Sequence, residues 1–133
     1  LNRITGGAVI LAGSGMCTGG RVRHHLRQHL WRRESSVVFV GYAAIGTLAR
    51  RIVDGAREVK IFADLMPVNA AVHTINGFSA HADQAELLAW HGRTGPPART
   101  FLVHGEEKAM RRFATLLPTQ GVEMPHLHES FEL

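Results

Sequence analysis

Twice in its first sixty residues the chain runs from a short apolar stretch through a glycine-bearing loop into an amphipathic segment, and that doubled unit restricts the fold more than any other feature. The first copy reads AVILA (8–12), GSGMCTGG (13–20) and RVRHHLRQHL (21–30), and the second reads VVFVGY (37–42), AAIGT (43–47) and LARRIVDGA (48–56). Apolar runs this short, without polar alternation, predict strands covered on both faces. Val22, Leu26 and Leu30 fall four apart and predict one apolar stripe on a helix from Gly20 to about Trp31. Ile45, Leu48, Ala49, Ile52 and Val53 do the same for a helix over 46–56. Two successive strand–loop–helix units imply crossover connections and a parallel sheet, so the fold class is α/β, built of parallel-sheet strand–helix units.

After Lys60 the texture changes. Strands are predicted over 59–62 and 70–75 around a turn at Pro67, then a helix over 84–91. Asp83 and Glu86 have capping-box spacing at its start. The stretch GRTGPPAR (92–99) reads as a loop, 100–103 as a third buried strand and 107–117 as a helix. The closing VEMPHLHESFEL reads as an edge strand.

Bulk properties exclude some classes. With 133 residues and 45% hydrophobic content the chain is about one domain's worth and able to build an ordinary core. No apolar run reaches the roughly 18 residues that cross a bilayer, so no membrane partner is expected. The single cysteine, Cys17, excludes an internal disulfide and fits a reducing, cytoplasmic setting. The charge is uneven: residues 1–60 carry ten Lys or Arg against three acids, a balance of +7, and residues 61–133 carry five against eight, a balance of −3. A basic first half suits a polyanion, although arginines on amphipathic helices also simply face water. The chain opens at Leu1 without an initiator methionine, which leads us to expect a piece of something longer.

The loop 13–20 has the setting in which open parallel sheets bind phosphate, between a strand's carboxyl end and a helix amino terminus. Glycine there admits positive φ and lets a phosphate approach the backbone. Gly13-x-Gly15-x-x-x-Gly19 also imitates an NADP-type dinucleotide fingerprint, as in an oxidoreductase domain. However, the second strand ends VVFVGYAAIGT, with neither the acid nor the arginine that would read the ribose, and no Walker lysine follows. Two glycine loops side by side, flanked by Arg21, Arg23, Arg50 and Arg51, would make a rim suited to a chain of phosphates. Both loops are equally readable as plain tight turns.

Nine histidines are present. His24, His25, His29 and His91 sit at helix positions suited to surface or boundary packing, and His73, His126 and His128 fall in strands. His81, in GFSAHADQAE, precedes a helix, and His104, in TFLVHGEE, ends a buried strand before a glycine. Those positions are where an α/β sheet places its chemistry, as metal ligand or general acid. A hydrolytic zinc site takes at least three protein ligands, and the chain has no HxH, HExxH or CxxC pair.

Taken together, ILAGSGMCTGGR, VFVGYAAIGTLARRI, INGFSAHADQAEL and FLVHGEEKAM resemble, in the same order, the β-CASP branch of the metallo-β-lactamase-fold nucleases. The look-alikes include its RNA-processing exonucleases and mRNA 3′-end processing factors. The resemblance implies that residues 1 to about 60 end a β-CASP domain. It implies that residues 61–133 form the carboxy-terminal part of a metallo-β-lactamase αββα fold. It implies RNA as partner and zinc-assisted phosphodiester hydrolysis by a parent enzyme with two zinc ions, which this span alone would not hold. By the same resemblance His81 is a catalytic residue that protonates the leaving group or steadies the scissile phosphate, and His104 is a ligand to one zinc. Ser14, Gly15, Met16, Gly19, Gly20 and Arg21 are then substrate contacts. The sequence departs from the pattern in lacking HxHxDH, its companion ligands and the motif A acid. Gly13 stands where a serine is usual, and Phe62-Ala63-Asp64 where FGE or FGD is usual. The lost motifs leave a non-catalytic RNA-binding module as an alternative. A half-sheet with an open apolar face also invites a second copy, as a homodimer.

Overall fold

The structure is a computed structural model, and it describes Ile4, residues 6–78 and residues 81–132. Ser79 and Ala80 of the SAHAD motif and Arg3 of the basic half lie outside the described residues. The chain divides into two compact units, Leu1–Ser79 and Ala80–Leu133. Among the described residues no helix is long and apolar enough to cross a membrane.

The first unit is built on α1 (Val22–His29), β1 (Ser36–Val40), α2 (Leu48–Val53), β2 (Glu58–Ile61), β3 (Asp64–Pro67) and β4 (Ala71–Ile75). The Val22–Leu26–Leu30 stripe behaves as its spacing requires. Leu26 and Leu30 are buried, and Val22 packs partly buried beside them. They meet Phe39 of β1, Ala49 and Ile52 of α2, Val59 and Ile61 of β2, and Ala70, in one continuous core. Thr47 caps α2 by accepting a hydrogen bond from the Arg50 N–H, which fixes where that helix starts.

Sheet pairing corrects the expected topology. β1 pairs in parallel with β4, from Ser36↔Ala71 to Val40↔Ile75, and the crossover between them contains α2 and the β2–β3 hairpin. Residues 8–12 form no strand, and Val9 and Leu11 are 89% and 95% exposed. Among the described residues the run has no ladder partner: β1 pairs with β4 alone in a two-stranded sheet, and an apolar pattern without a paired backbone does not make a strand. The two glycine loops therefore do not follow neighbouring strands, as a dinucleotide fold demands. A second correction concerns Pro67. The reversal occurs at Phe62–Ala63, and Pro67 ends β3 opposite Glu58, a position where its missing N–H is tolerated.

The second unit holds α3 (Gln84–Gly92), β5 (Thr100–Phe101), α4 (Glu107–Ala114) and β6 (Val122–Glu123). The Asp83–Glu86 capping box forms as the sequence predicts, with both hydrogen bonds at 2.9 Å. β5 is half its expected length and pairs in parallel with β6, the short edge strand of the carboxyl end. His91 is buried rather than at a boundary, its Nε2 3.0 Å from the Thr100 hydroxyl. Phe101 meets Phe131 edge to face at 4.9 Å, which folds the tail back onto β5.

Candidate functional site

The loop 13–20 is anchored from beneath and open above. Cys17 is buried in the core, where burial pushes its thiol pKa up and keeps it protonated. A turn closed by the Cys17 N–H donating to the Ser14 carbonyl, at 2.8 Å, lifts Ser14 and Gly15 into solvent. Met16 ties this loop to the second one. Its carbonyl accepts from the Ala49 N–H at 3.2 Å, and its thioether sulfur lies 3.1 Å from the Ala44 nitrogen. The two loops therefore sit side by side, as a rim requires, with Met16 as the join.

The glycines divide into two kinds. Gly20 has φ +72°, a backbone that other residues adopt only with strain, so the fold itself asks for glycine there. Gly13, Gly15 and Gly19 lack a left-handed φ, and a Cβ added at any of them would meet no atom within 4 Å. Neither dihedral nor packing accounts for glycine at those three positions.

Charge beside the rim is thinner than the sequence suggests. Arg21 and Arg51 are exposed, but Arg50 pairs with Asp54 at 2.9 Å and the Arg23 guanidinium lies over Phe62, 4.3 Å from its ring centre. α1 begins at Arg21 with no side-chain cap and no acid in its first turn, so the positive end of its dipole is uncompensated.

His81 and His104 belong to the other unit. His81 is exposed two residues before Asp83, the cap of α3. His104 is exposed just beyond β5 with φ +63°. Gly105 follows, and a Cβ there would lie 2.6 Å from Met110 Cγ, so the bare backbone is what lets α4 pack against this turn. Among the described residues five non-glycine positions have positive φ, and Ser14, Cys17 and His104 are three of them. Two of the five, Ser14 and His104, are candidate site residues, and such a backbone costs about 1–3 kcal/mol at each. Among the described residues no three His, Cys, Asp or Glu side chains gather. Zinc takes three or four ligands, so His104 fits a metal only as one member of a set completed by other residues. Phe62 takes a positive φ at the tip of the β2–β3 hairpin, within the Phe62-Ala63-Asp64 stretch that departs from the usual FGE or FGD.

Residues 1–52 match the Beta-Casp domain family, and residues 65–125 match the family described as the Zn-dependent metallo-hydrolase RNA specificity domain. The chain is 45% identical over 124 residues to Ribonuclease TTHA0252 of Thermus thermophilus, covering 93% of this chain and 28% of that protein. It is 42% identical over 105 residues to Transcription termination factor FttA of Thermococcus kodakarensis, covering 74% of this chain and 16% of that one. To the factor of the same name from Methanocaldococcus jannaschii it is 39% identical over 112 residues, covering 80% and 18%. The chain thus spans less than a third of the length of these curated relatives.

Proposed function

Because the chain belongs to the β-CASP family of metallo-β-lactamase-fold ribonucleases, we propose that it is the carboxy-terminal portion of a zinc-dependent enzyme that hydrolyses RNA phosphodiester bonds. The observation that carries this reading is the open rim. Gly13, Gly15 and Gly19 leave bare backbone facing outward beside Arg21 and an uncapped helix start. Backbone N–H groups, a helix dipole and an arginine hold phosphates without regard to base, and that grip weakens as salt rises. Ser14, Gly15, Gly19, Gly20 and Arg21 are the phosphate contacts, and Met16 shapes the loop that presents them.

In this reading residues 1 to about 60 end the β-CASP domain. Residues 61–133 are the returning part of the metallo-β-lactamase αββα fold. His104 is one ligand of a centre of two zinc ions, and His81 acts on the leaving oxygen or the scissile phosphate. Zinc supplies Lewis acidity and a hydroxide nucleophile to such reactions. The left-handed backbone at His104 and the tight Gly105–Met110 packing hold the imidazole out from its strand, and the Asp83 cap fixes the chain just after His81. Cys17, the single cysteine of the chain and unpaired, suits a cytoplasmic setting. The exposed outer face of the β1–β4 pair, with Val38, Val40 and Ile75, is the surface that a second copy or the remainder of the parent covers.

The test is RNA hydrolysis by the full-length protein that carries this segment. His104→Ala is expected to abolish zinc-dependent cleavage, and His81→Ala to slow it by about 10²–10⁴-fold, both with RNA affinity kept. Unchanged cleavage in both variants overturns the catalytic roles. Salt-sensitive binding without any cleavage by the wild type leaves a non-catalytic RNA-binding module.

A further inference from the structure

We propose that the outer side of α1 and the tip of the β2–β3 hairpin form a second track for single-stranded RNA, separate from the glycine rim, with Trp31 and Phe62 as its stacking elements. The proposal rests on the RNA reading above and extends it to a surface that the reading does not use.

Residues 21–33 contain five arginines and three histidines and no acid. Arg27 pairs with Asp64 at 2.6 Å, and Arg21 and Arg33 are exposed. Arg23 and Arg27 lie four apart on one side of α1, next to the buried Val22–Leu26–Leu30 stripe, and Trp31 follows in the turn just past the helix. Each end of that side carries an aromatic with a cation on it. Arg23 lies 4.3 Å from the Phe62 ring centre, and Arg32 lies 5.2 Å from that of Trp31. His24 adds a second ring 4.8 Å from Phe62.

A merely solvated helix face accounts for the arginines but not for the aromatics. Trp31 is 46% exposed and Phe62 39% exposed. Phe62 also keeps a left-handed backbone, φ +58°, in a two-residue turn where glycine or asparagine is preferred. The turn thus accepts strain to hold a ring at the surface. Arg23 Nε is buried without a hydrogen-bond acceptor, so its guanidinium gains by turning toward one. Cations for a phosphate backbone alternating with planar rings for bases is the chemistry of single-strand binding. An acidic peptide would match the charge and leave the rings unused.

The experiment uses the whole chain with Trp90→Phe, which leaves Trp31 as its only tryptophan. On titration with a uridine 12-mer at low salt, Trp31 fluorescence is expected to quench and to recover as salt is added. Trp31→Ala, Arg32→Ala and Phe62→Gly should each raise Kd by roughly tenfold. Trp31→Phe should restore most of the affinity. Phe62→Gly relieves the backbone strain, so its thermal midpoint should not fall, which separates lost binding from lost folding. If Arg21→Ala weakens binding while Trp31 fluorescence and these variants stay unchanged, the track is refuted and the glycine rim stands. If the wild type shows no salt-dependent RNA binding, both readings fall. Equal quenching of Trp31 by polyglutamate overturns RNA as the occupant in favour of an acidic protein.

Discussion

The two units contain similar elements and bury them very differently. The first closes ten residues, from Cys17 to Ala70, into one core, with Leu30, Ala49, Ile52, Val59 and Ile61 fully inaccessible. The second buries Leu117 and His91 and leaves Leu87, Trp90, Val103 and Leu127 exposed. Charge differs too, with ten bases against four acids in residues 1–79 and five against seven in 80–133. A unit with a closed core can present a glycine loop rigidly enough to bind a polyanion. A unit without one holds its histidines through local devices: a capping box before α3, a left-handed turn at His104, and a glycine that admits Met110.

That contrast is open to attack by substitution. The largest effect should come from Ile52→Ala, which empties a fully buried site and should cost about 2–5 kcal/mol. Leu87→Ala, on the exposed side of α3, should cost under about 0.5 kcal/mol. Denaturant midpoints for the two decide it, and comparable losses would mean that the second unit has a core after all. His91→Ala should come next, at about 1–3 kcal/mol, since it empties a buried site and takes the partner from the half-buried Thr100 hydroxyl. Amide exchange of β5 should accelerate with it. Removing one cap from each unit sharpens the comparison further. Thr47→Ala and Asp83→Ala should each cost about 1 kcal/mol. In the first unit the core should restrain the damaged helix, while in the second exchange should spread along α3.

The smallest effect is a pH dependence confined to the first unit. Burial, then the charges of Arg32 and His25, hold the His29 pKa below its ordinary 6.5. The unfolded chain therefore takes up this proton first as pH falls. Stability is fully present above pH 6.5 and is lost as pH drops through the folded-state value. His29→Gln should flatten the stability profile below that point, and an unchanged slope would contradict it.

What could be read from sequence follows the range of the interactions. The α1 stripe and the Asp83–Glu86 box depend on neighbours within a turn or so, and both form as read. The partner of β1 does not: β4 lies some thirty residues on in sequence, and nothing in VVFVGY specifies it. The run at 8–12 reads as a strand because its pattern is right, yet it takes no ladder partner among the described residues. At the site, the glycine loops and both histidines were legible as motifs, whereas the neutralisation of Arg50 and the diversion of Arg23 to Phe62 needed coordinates.

The most direct test of the central claim compares folding with RNA affinity at the glycines that the fold does not need. Gly15→Val and Gly19→Val place side chains in open space. They should leave the unfolding free energy within about 0.5 kcal/mol of wild type while weakening salt-sensitive binding of single-stranded RNA by about tenfold or more. Unchanged affinity with unchanged stability would mean that nothing approaches this loop, and the rim would lose its function.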